Sequence, residues 1–465
     1  MILEEVLSKL IDYALKAGAS YADARARRVE GTRVEVVDGG LRGVRCGLEE
    51  GVNVRVLVEG TWGFASSSFV SPEESLRLVK KAISAAKALA GRVKQRAEVY
   101  PQSTLRSKGR VKVKVPLNSV DLEEKVELAF KLNEESLSLD EKVKSATTVY
   151  SDAVEARAVY TSHGRYVEVE TSYLYLSSLA YAFEAGLRQR GFKVHGGVGG
   201  FELTRSTEAL ELGVEAASMA LRLLKAPPPP SGRFTCVLDP EIAGTFIHEA
   251  FGHACEADLV LSNSSILEGK LGTRVGGEEV TVVDDPMLEG LYGWYPFDDE
   301  ASEGRRTVIV EEGILKSFLH SLETAISLEA KPTGNARAQG YSSRPIVRMT
   351  NTFIAPGTWK PEELLGETKT GLYVKGSNYG YVDTAKGLFS FKCKEAYLLE
   401  NGEPSKLLRD VALSGLTLEV LINVDGVAND LKFNPGICGK EGQYVPVTDG
   451  SPHIRVKGVL VGGGS

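Results

Sequence analysis

The chain has no run of about 18 consecutive apolar residues, which is the length that a membrane-spanning helix requires. Its N-terminus is acidic and amphipathic, and it lacks the charged and apolar regions of a secretory signal. Cysteine is scarce: the five residues are odd in number, scattered and without CxxC spacing, which argues against a secreted disulfide framework. These absences predict a cytoplasmic protein that contacts no membrane.

The sequence also lacks an excess of basic residues. Its formal net charge is -7, and basic stretches such as 106–112 are short and are predicted to be strand-like. Direct binding of nucleic acid is therefore not expected. The 465 residues, of which 43% are hydrophobic and 25% charged, are typical of a globular protein with two or three domains.

Two histidines and one glutamate stand close together in the segment 248–253, whose sequence is HEAFGH. The common helical zinc hydrolases place two histidines four residues apart, with the glutamate after the first as base. Here the spacing is five, which on a regular helix leaves the two rings about 140° apart. Both can bind one metal ion only if the helix bulges or ends between them, and Gly252 is predicted to let the backbone do so. On spacing alone, the alternative is a chance grouping of packed or solvated side chains.

A third protein ligand is needed, because a catalytic zinc usually takes three and leaves one position to water. The candidates are Cys255 and Glu256, which are close in the sequence, and the remote His320 and Cys438. Glycines flank Cys438 and allow a tight loop to bring its sulfur to an ion. The alternative for any single cysteine is a small buried hydrophobe.

Helices bracket a group of strands at the start of the chain. Apolar residues at helical spacing predict a helix over 3–16, and β-branched runs punctuated by glycine predict antiparallel strands between 22 and 66. Ser71 as N-cap and Pro72 at the first helical position then begin a helix that extends to about residue 90.

A second unit repeats this order. Asp121 is predicted to cap a helix that ends near residue 137, and strands follow over 146–185 around a turn at residues 163–164. A further helix is predicted to start after Ser206 and to continue to residue 224. Because strands come in groups and do not alternate with helices, the pattern predicts an α+β fold of helix-flanked antiparallel sheet units.

The prolines at 227–230 form the clearest boundary, since they cannot continue a helix and act as a stiff spacer. After them, 234–238 is predicted to be a buried strand, Asp239 an N-cap and Pro240 the first residue of the helix that carries the two histidines. Short β-like runs separated by glycine follow from residue 280, including 307–311, 371–375, 395–400 and 416–424.

This organisation predicts four parts. They are a first α+β unit over 1–112, a second over 113–226, a proline-rich linker over 227–232, and a mostly β C-terminal domain carrying the metal-site helix over 233–465.

Several segments resemble, in the same order along the chain, those of the TldD/PmbA metalloprotease family. These segments are 248–253 (HEAFGH), 297–300 (FDDE), 332–335 (PTGN), 348–352 (RMTNT), 395–398 (EAYL) and 438–443 (CGKEGQ). The resemblance covers essentially the whole chain. The intact histidine motif points to the TldD type, since the PmbA-type (TldE) chains of the family lack it.

The resemblance implies a zinc metallopeptidase that holds one Zn(2+) per chain through His248, His253 and Cys438, with Glu249 as general base and acid. His320 and Tyr341 are candidates for contact with the oxyanion or the substrate, and a structural role is the alternative for both. In the family the active site lies in a dimeric chamber that admits extended peptides. This implies unfolded or short peptide substrates and a homodimer, or a heterodimer with a PmbA/TldE-type chain.

Two other functions stay open. A non-catalytic peptide-binding subunit would hold a structural metal with four protein ligands, the fourth being Cys255 or His320. A zinc amidohydrolase of small molecules would have a compact pocket. Glu249 favours the peptidase over the structural site, because a structural zinc needs no base. The acidic runs at 284–285 and 298–300 are expected to be solvated and not a hard-cation site.

Overall fold

The computed structural model describes residues 2–69, 71–93 and 96–463. Its N-terminal half groups long strands between helices, as the sequence predicts. In chain order these elements are α1 (Ile2–Lys16), β1 (Tyr21–Val37), β2 (Gly40–Val58), β3 (Thr61–Ser67), α2 (Pro72–Ala90), β4 (Leu105–Arg110), α3 (Leu122–Ser138), β5 (Val143–Thr161), β6 (Arg165–Glu184), β7 (Leu187–Val198), α4 (Thr207–Leu210) and α5 (Leu212–Leu224).

One continuous sheet of order β3-β2-β1-β5-β6-β4 spans both N-terminal units, and β7 also pairs with β6. Strands β1 and β5 pair antiparallel from Asp23 opposite Thr161 to Val37 opposite Thr147. This long ladder merges the two units into a single layer. The basic stretch predicted to be strand-like contributes to β4, which runs parallel to β6.

Helices cover one face of this sheet. The apolar stripes of α1 and α2 pack against β1 and β2 in a core that includes Leu7, Leu10, Val54 and Leu78. Each such side chain stabilises the fold by roughly 1.5–3 kcal/mol through its removal from water. None of the helices in the described ranges is long and apolar enough to cross a lipid bilayer.

The predicted helix starts after Ser71, Asp121 and Ser206 are all confirmed, and two of the three have the side-chain cap. The hydroxyls of Ser71 and Ser206 each accept a hydrogen bond from the backbone N–H three residues on, as N-caps do. Asp121 occupies an N-cap position, but its side chain accepts no capping bond from the described residues. The helix after Ser206 is also interrupted at Glu211, where α4 ends and α5 begins.

The C-terminal half is mostly β. Together with the helix-flanked sheet of the N-terminal half, this confirms the predicted α+β class. Its elements are β8 (Gly232–Leu238), α6 (Pro240–Thr245), a π-helix (Phe246–Gly252), a 3-10 turn (His253–Cys255), α7 (Ala257–Leu261), β9 (Val282–Asp284), β10 (Thr307–Glu311), β11 (Ile314–Leu315), α8 (Leu322–Ser327), β12 (Ala336–Arg337), β13 (Ile346–Val347), β14 (Asn351–Ile354), α9 (Pro361–Glu367), β15 (Thr370–Asp383), β16 (Leu388–Glu400), β17 (Glu403–Leu408), β18 (Val411–Leu416), α10 (Thr417–Ile422), β19 (Val424–Val427), β20 (Lys432–Lys440), β21 (Gln443–Ser451) and β22 (Ile454–Gly463).

The strand predicted over 416–424 is wrong, because most of that segment forms α10. Thr417, Val420 and Leu421 are its buried residues, and their spacing of three and four is helical. The run of β-branched and leucine residues concealed this period.

Two larger sheets build the C-terminal domain around one hydrophobic core, and β12 pairs with β13 in a separate two-stranded sheet. In the first, β15-β8-β22-β18-β16-β17 are neighbours, and additional pairing of β15 with β16 closes the sheet into a barrel. In the second, the order is β11-β10-β9-β14-β21-β20. Strand β20, which carries Cys438, therefore lies at the edge of the second sheet.

Buried ion pairs join the N-terminal sheet to the C-terminal domain. Asp299 lies 3.2 Å from Arg25 and 3.0 Å from Arg157, and Glu300 lies 2.7 Å from Arg55. The expectation that this acidic run is solvated is wrong, since Asp299 is 2% and Glu300 1% exposed. The guanidinium partners come from β1, β2 and β5, and sequence reasoning had no means of assigning them.

The other acidic pair is buried as well. Asp284 is fully buried and accepts hydrogen bonds from the backbone and hydroxyl of Thr350 and from the hydroxyl of Thr352. Asp285 is 6% exposed. The predicted solvation of this pair is therefore also wrong, and neutral donors of β14 and the residue before it stabilise the Asp284 carboxylate.

Candidate metal centre

The helix that carries the two histidines begins as predicted. Asp239 follows β8 and its carboxylate accepts a hydrogen bond from the backbone N–H of Ile242, while Pro240 is the first residue of α6. After α6 the chain continues as a π-helix, in which His253 N–H donates to the carbonyl of His248. Because that bond spans five residues, residues five apart lie one above the other. The two rings are 5.4 Å apart between centroids, so the π-helix is the predicted bulge.

Gly252 has a different role from the predicted one. Its φ of -60° and ψ of -43° are ordinary right-handed helical values that any residue adopts. What the position lacks is space, because a Cβ there would lie 2.2 Å from Sδ of Met349. The glycine therefore permits close packing of the helix against Met349, and the extra residue is absorbed over the whole π-helical segment.

Cys438 completes a group of three donors. One ligand atom from each of His248, His253 and Cys438 lies within 4.8 Å of the other two, and Sγ of Cys438 is 3.3 Å from Nε2 of His253. His248 and Cys438 are each 3% exposed. Burial raises the pKa of a thiol, but the imidazoles of His248 and His253 outweigh it and lower the pKa of Cys438 to about 5. The sulfur is thus prepared to act as a thiolate.

The donors fit a zinc ion. Tetrahedral zinc with nitrogen and sulfur ligands at about 2.0–2.3 Å sets those atoms roughly 3.3–3.6 Å apart, close to the observed separation of Sγ and Nε2. Neither ring nitrogen of His248 has a hydrogen-bond partner among the described protein groups. A buried imidazole without a partner is unfavourable, and coordination would satisfy one of its nitrogens.

Glu256 lies next to this group of donors and is not one of them. Its carboxylate is fully buried and lies 3.0 Å from Nδ1 of His253 and 3.1 Å from Nζ of Lys440. Burial raises the pKa of a carboxyl, yet His253 and Lys440 together lower that of Glu256 to about 2. A carboxylate on the outer nitrogen of a metal-binding histidine fixes the ring and its tautomer. Glu256 was a candidate third ligand in the sequence, and the structure places its carboxylate against His253, outside the group of three donors.

Glu249 lies on the accessible side of the group. Its side chain is 43% exposed, whereas that of His253 is 12% exposed, and Oε2 of Glu249 is 3.9 Å from Nε2 of His253. The carboxylate therefore borders both the donors and solvent, which is the position that a general base requires.

The other candidates lie outside the group. Sγ of Cys255 is buried and donates to the carbonyl of Phe251. His320 contacts the hydroxyl of Thr324 at 3.3 Å, and burial lowers the pKa of His320 to about 4. Tyr341 packs over Gly51 of β2.

Sequence reasoning missed Asp449. This carboxylate, on β21, lies beside the helix turn that precedes His248, 3.2 Å from Nδ2 of Asn434 and 3.4 Å from the hydroxyl of Thr245. Burial raises its pKa to about 7. No local pattern marks it, because Asp449 and Thr245 are 204 residues apart in the chain and become neighbours only in the fold.

Comparisons with known proteins identify the family of this chain. Family models of the PmbA/TldA metallopeptidase match the chain with domain 1 at residues 22–90, the central domain at 115–224 and the C-terminal domain at 231–463. The chain belongs to the PmbA/TldD metallopeptidase family. The family resemblance seen in the sequence is thereby confirmed, while the predicted boundaries of the parts stay predictions.

Relatives in this family match nearly the full chain. A metalloprotease of Methanocaldococcus jannaschii is 45% identical over 445 residues, covering 96% of this chain and 97% of its own. A zinc metalloprotease TldD homolog of Saccharolobus solfataricus is 30% identical over 459 residues, covering 98% and 99%. These names support a protease.

Two solved structures have the same fold. The crystal structure of TldE from Thermococcus kodakarensis superposes with a TM-score of 0.75 at 19% identity, covering 98% of this chain and 99% of that one. A protein of Thermotoga maritima gives a TM-score of 0.80 at 24% identity, covering 99% and 100%.

Proposed function

We propose that this chain is a zinc-dependent peptidase of unfolded or short peptides, with one Zn(2+) held by His248, His253 and Cys438 and with Glu249 as general base. The convergence of three donors beside a solvent-accessible carboxylate is the observation that carries the proposal. The name of the Saccharolobus solfataricus relative supports zinc as the metal.

A bound zinc ion would supply Lewis acidity, polarising the scissile carbonyl and lowering the pKa of a water. Glu249 accepts a proton from that water as it attacks the amide carbon. The same carboxylic acid then gives the proton to the nitrogen of the leaving amine, so the C–N bond breaks without releasing an unstable anion. Glu249 begins and ends the cycle as a carboxylate.

Glu256 holds His253 in the form that this chemistry needs. With Nδ1–H donating to Glu256, the lone pair of Nε2 faces Cys438 and the proposed metal. The partly exposed Glu249 is the accessible member of a site whose donors are mostly buried. An extended chain fits such a site better than a folded surface does, which supports unfolded or short peptides as substrates.

The oligomer is also part of the proposal. We infer a homodimer or a heterodimer with a PmbA/TldE-type chain, and the shared fold of TldE supports the second arrangement. Among the rivals, a structural four-ligand site loses support because Cys255 and His320, its proposed fourth ligands, bond elsewhere. The contact of His320 with Thr324 favours a structural role for His320. The packing of Tyr341 on Gly51 favours a structural role for Tyr341.

The test compares zinc content and hydrolysis of an unstructured peptide in the wild type, Cys438→Ser and Glu249→Ala. Cys46→Ser is the matched control, since Cys46 is an exposed thiol on β2 and has no part in the site. We expect about one zinc per chain in the wild type, the control and Glu249→Ala, and loss of zinc in Cys438→Ser. Hydrolysis should disappear in both site variants and persist in the control.

Two results would contradict the proposal. If Glu249→Ala keeps its zinc and cleaves the peptide as fast as the wild type, Glu249 is not the base. If zinc is bound yet no peptide is cleaved, even when a PmbA/TldE-type chain is added, the metal is structural.

A further inference from the structure

Cys438, the proposed thiolate ligand, lies on a strand that is hydrogen-bonded along one side. Cys438 lies near the tip of the hairpin formed by β20 and β21, where Cys438 pairs with Val445. The tip residues Glu441 and Gly442 are exposed and have positive φ values of 49° and 73°. Strand β20 is also a sheet edge, and within the described residues β21 is the one strand that pairs with it. Backbone pairing therefore fixes β20 from one side, and side chains contribute the rest of its support.

The buried side chain of Arg348 forms hydrogen bonds with both strands of this hairpin. Its side chain is fully buried, and its Nη2 donates to the carbonyl of Cys438 at 2.6 Å while Nη1 donates to the carbonyl of Gln443 at 3.3 Å. One guanidinium thus bonds both strands on either side of the tip. Arg348 is itself held by Asn335, which exchanges backbone and side-chain hydrogen bonds with its main chain.

The same hairpin is tied to the histidine side of the site. Lys440 lies 3.1 Å from Glu256 and donates to Asp258 at 2.7 Å, and Glu256 in turn bonds His253. Lys440 therefore links β20 to the segment that follows His253, whereas Arg348 bonds the backbone carbonyl of Cys438 itself.

We propose that Arg348 is a positioning residue for the metal-binding thiolate of Cys438, an inference that rests on the proposed zinc site. Arginine suits this role because its planar fork reaches two acceptors at once, whereas the ammonium of lysine is a single compact charge on a flexible stem. Burying a guanidinium is unfavourable unless its N–H groups are bonded. Nε of Arg348 has no hydrogen-bond partner among the described residues, so the bonds from Nη1 and Nη2 to the two carbonyls are the ones that offset this burial.

The experiment measures zinc affinity of the purified full chain by competition with a chelator. Arg348→Lys retains the charge and loses the fork, and Arg348→Gln loses both. Arg165→Lys is the matched control, because Arg165 is 3% exposed and also donates to two carbonyls, those of Ser103 and Ala301, away from the hairpin. Circular dichroism reports folding, and the absorption of Co(2+)-substituted protein reports thiolate coordination.

We expect both Arg348 variants to remain folded, to bind zinc about 10–100-fold more weakly and to show altered thiolate-to-cobalt absorption, with no such change in Arg165→Lys. Zinc affinity within threefold of wild type in Arg348→Lys and Arg348→Gln overturns the inference. Global unfolding of both variants also overturns it, since the role would then be structural. A wild type that binds no zinc would instead defeat the proposed function.

Discussion

Replacing Gly252 by alanine tests why the end of the π-helix (Phe246–Gly252) carries a glycine where it packs against Met349. A Cβ at this position would lie 2.2 Å from Sδ of Met349 and 3.1 Å from the carbonyl of Ile247. Overpacking of this kind costs about 1–3 kcal/mol. The backbone itself would gain up to about 1 kcal/mol, because alanine is a better helix former than glycine. We therefore expect Gly252→Ala to be destabilising, and the neighbouring Met349 to be the reason.

A double-mutant cycle with Met349→Ala isolates that reason. Met349→Ala alone should cost about 2–5 kcal/mol, since its side chain is fully buried. In that background the contact with Sδ is gone and the contact with the carbonyl of Ile247 remains, so Gly252→Ala should cost clearly less than in the wild type. The difference is the coupling energy of the two contacting positions, expected to be about 0.5–3 kcal/mol. Gly366→Ala, where a Cβ meets no atom within 4 Å, is the control for the glycine-to-alanine change itself.

The assay is read as urea midpoints with and without zinc, and as zinc affinity by chelator competition. A chain of 465 residues with more than one core is not expected to unfold in one step, so midpoints are compared and not extrapolated free energies. If Gly252→Ala is equally destabilising with Met349 and with alanine at 349, the clash is not its cause. The reasoning would then be refuted.

Glu256→Gln removes the charge that faces His253 and Lys440, so zinc affinity in a chelator competition should fall about 10–100-fold, and an unchanged affinity would contradict the role given to this carboxylate. Burial opposes ionisation of Asp299, but Arg157 and Arg25 lower its pKa in the fold. The stability that ionised Asp299 contributes is present above the unfolded pKa of about 3.9 and is lost as the pH falls below that value. The urea midpoint of Asp299→Asn should therefore fall less steeply with decreasing pH than that of the wild type. Zinc at 100 times its Kd should stabilise the wild type by about 2.7 kcal/mol against heat, and an equal effect on Cys438→Ser would show that zinc acts elsewhere.

Local patterns were sufficient for the elements that depend on near neighbours. Ser71 and Asp239 were identified as helix caps because capping joins residues three apart in the chain. The period of the apolar residues likewise located α1. The same reasoning failed at 416–424, where β-branched residues outweighed a short helical period.

The acidic runs show where such reasoning stops. Nothing near residues 298–300 in the sequence marks Arg25, Arg55 or Arg157 as their partners, which are more than a hundred residues away. Without those partners, solvent is the natural place for adjacent carboxylates. Burial of the run follows only from the docking of the C-terminal domain on the N-terminal sheet.

The sequence by itself determined the α+β class, the family and the two histidines with their glutamate, because these depend on local period and on residues adjacent in the chain. It also stated the geometric problem, that a spacing of five requires a departure from the α-helix. Only the tertiary structure decided the solution: a π-helix packed on Met349, with Cys438 brought from 185 residues away to 3.3 Å from His253. Such proximity depends on the pairing of distant strands and on buried side chains such as Arg348, whose partners become neighbours only when the chain has folded.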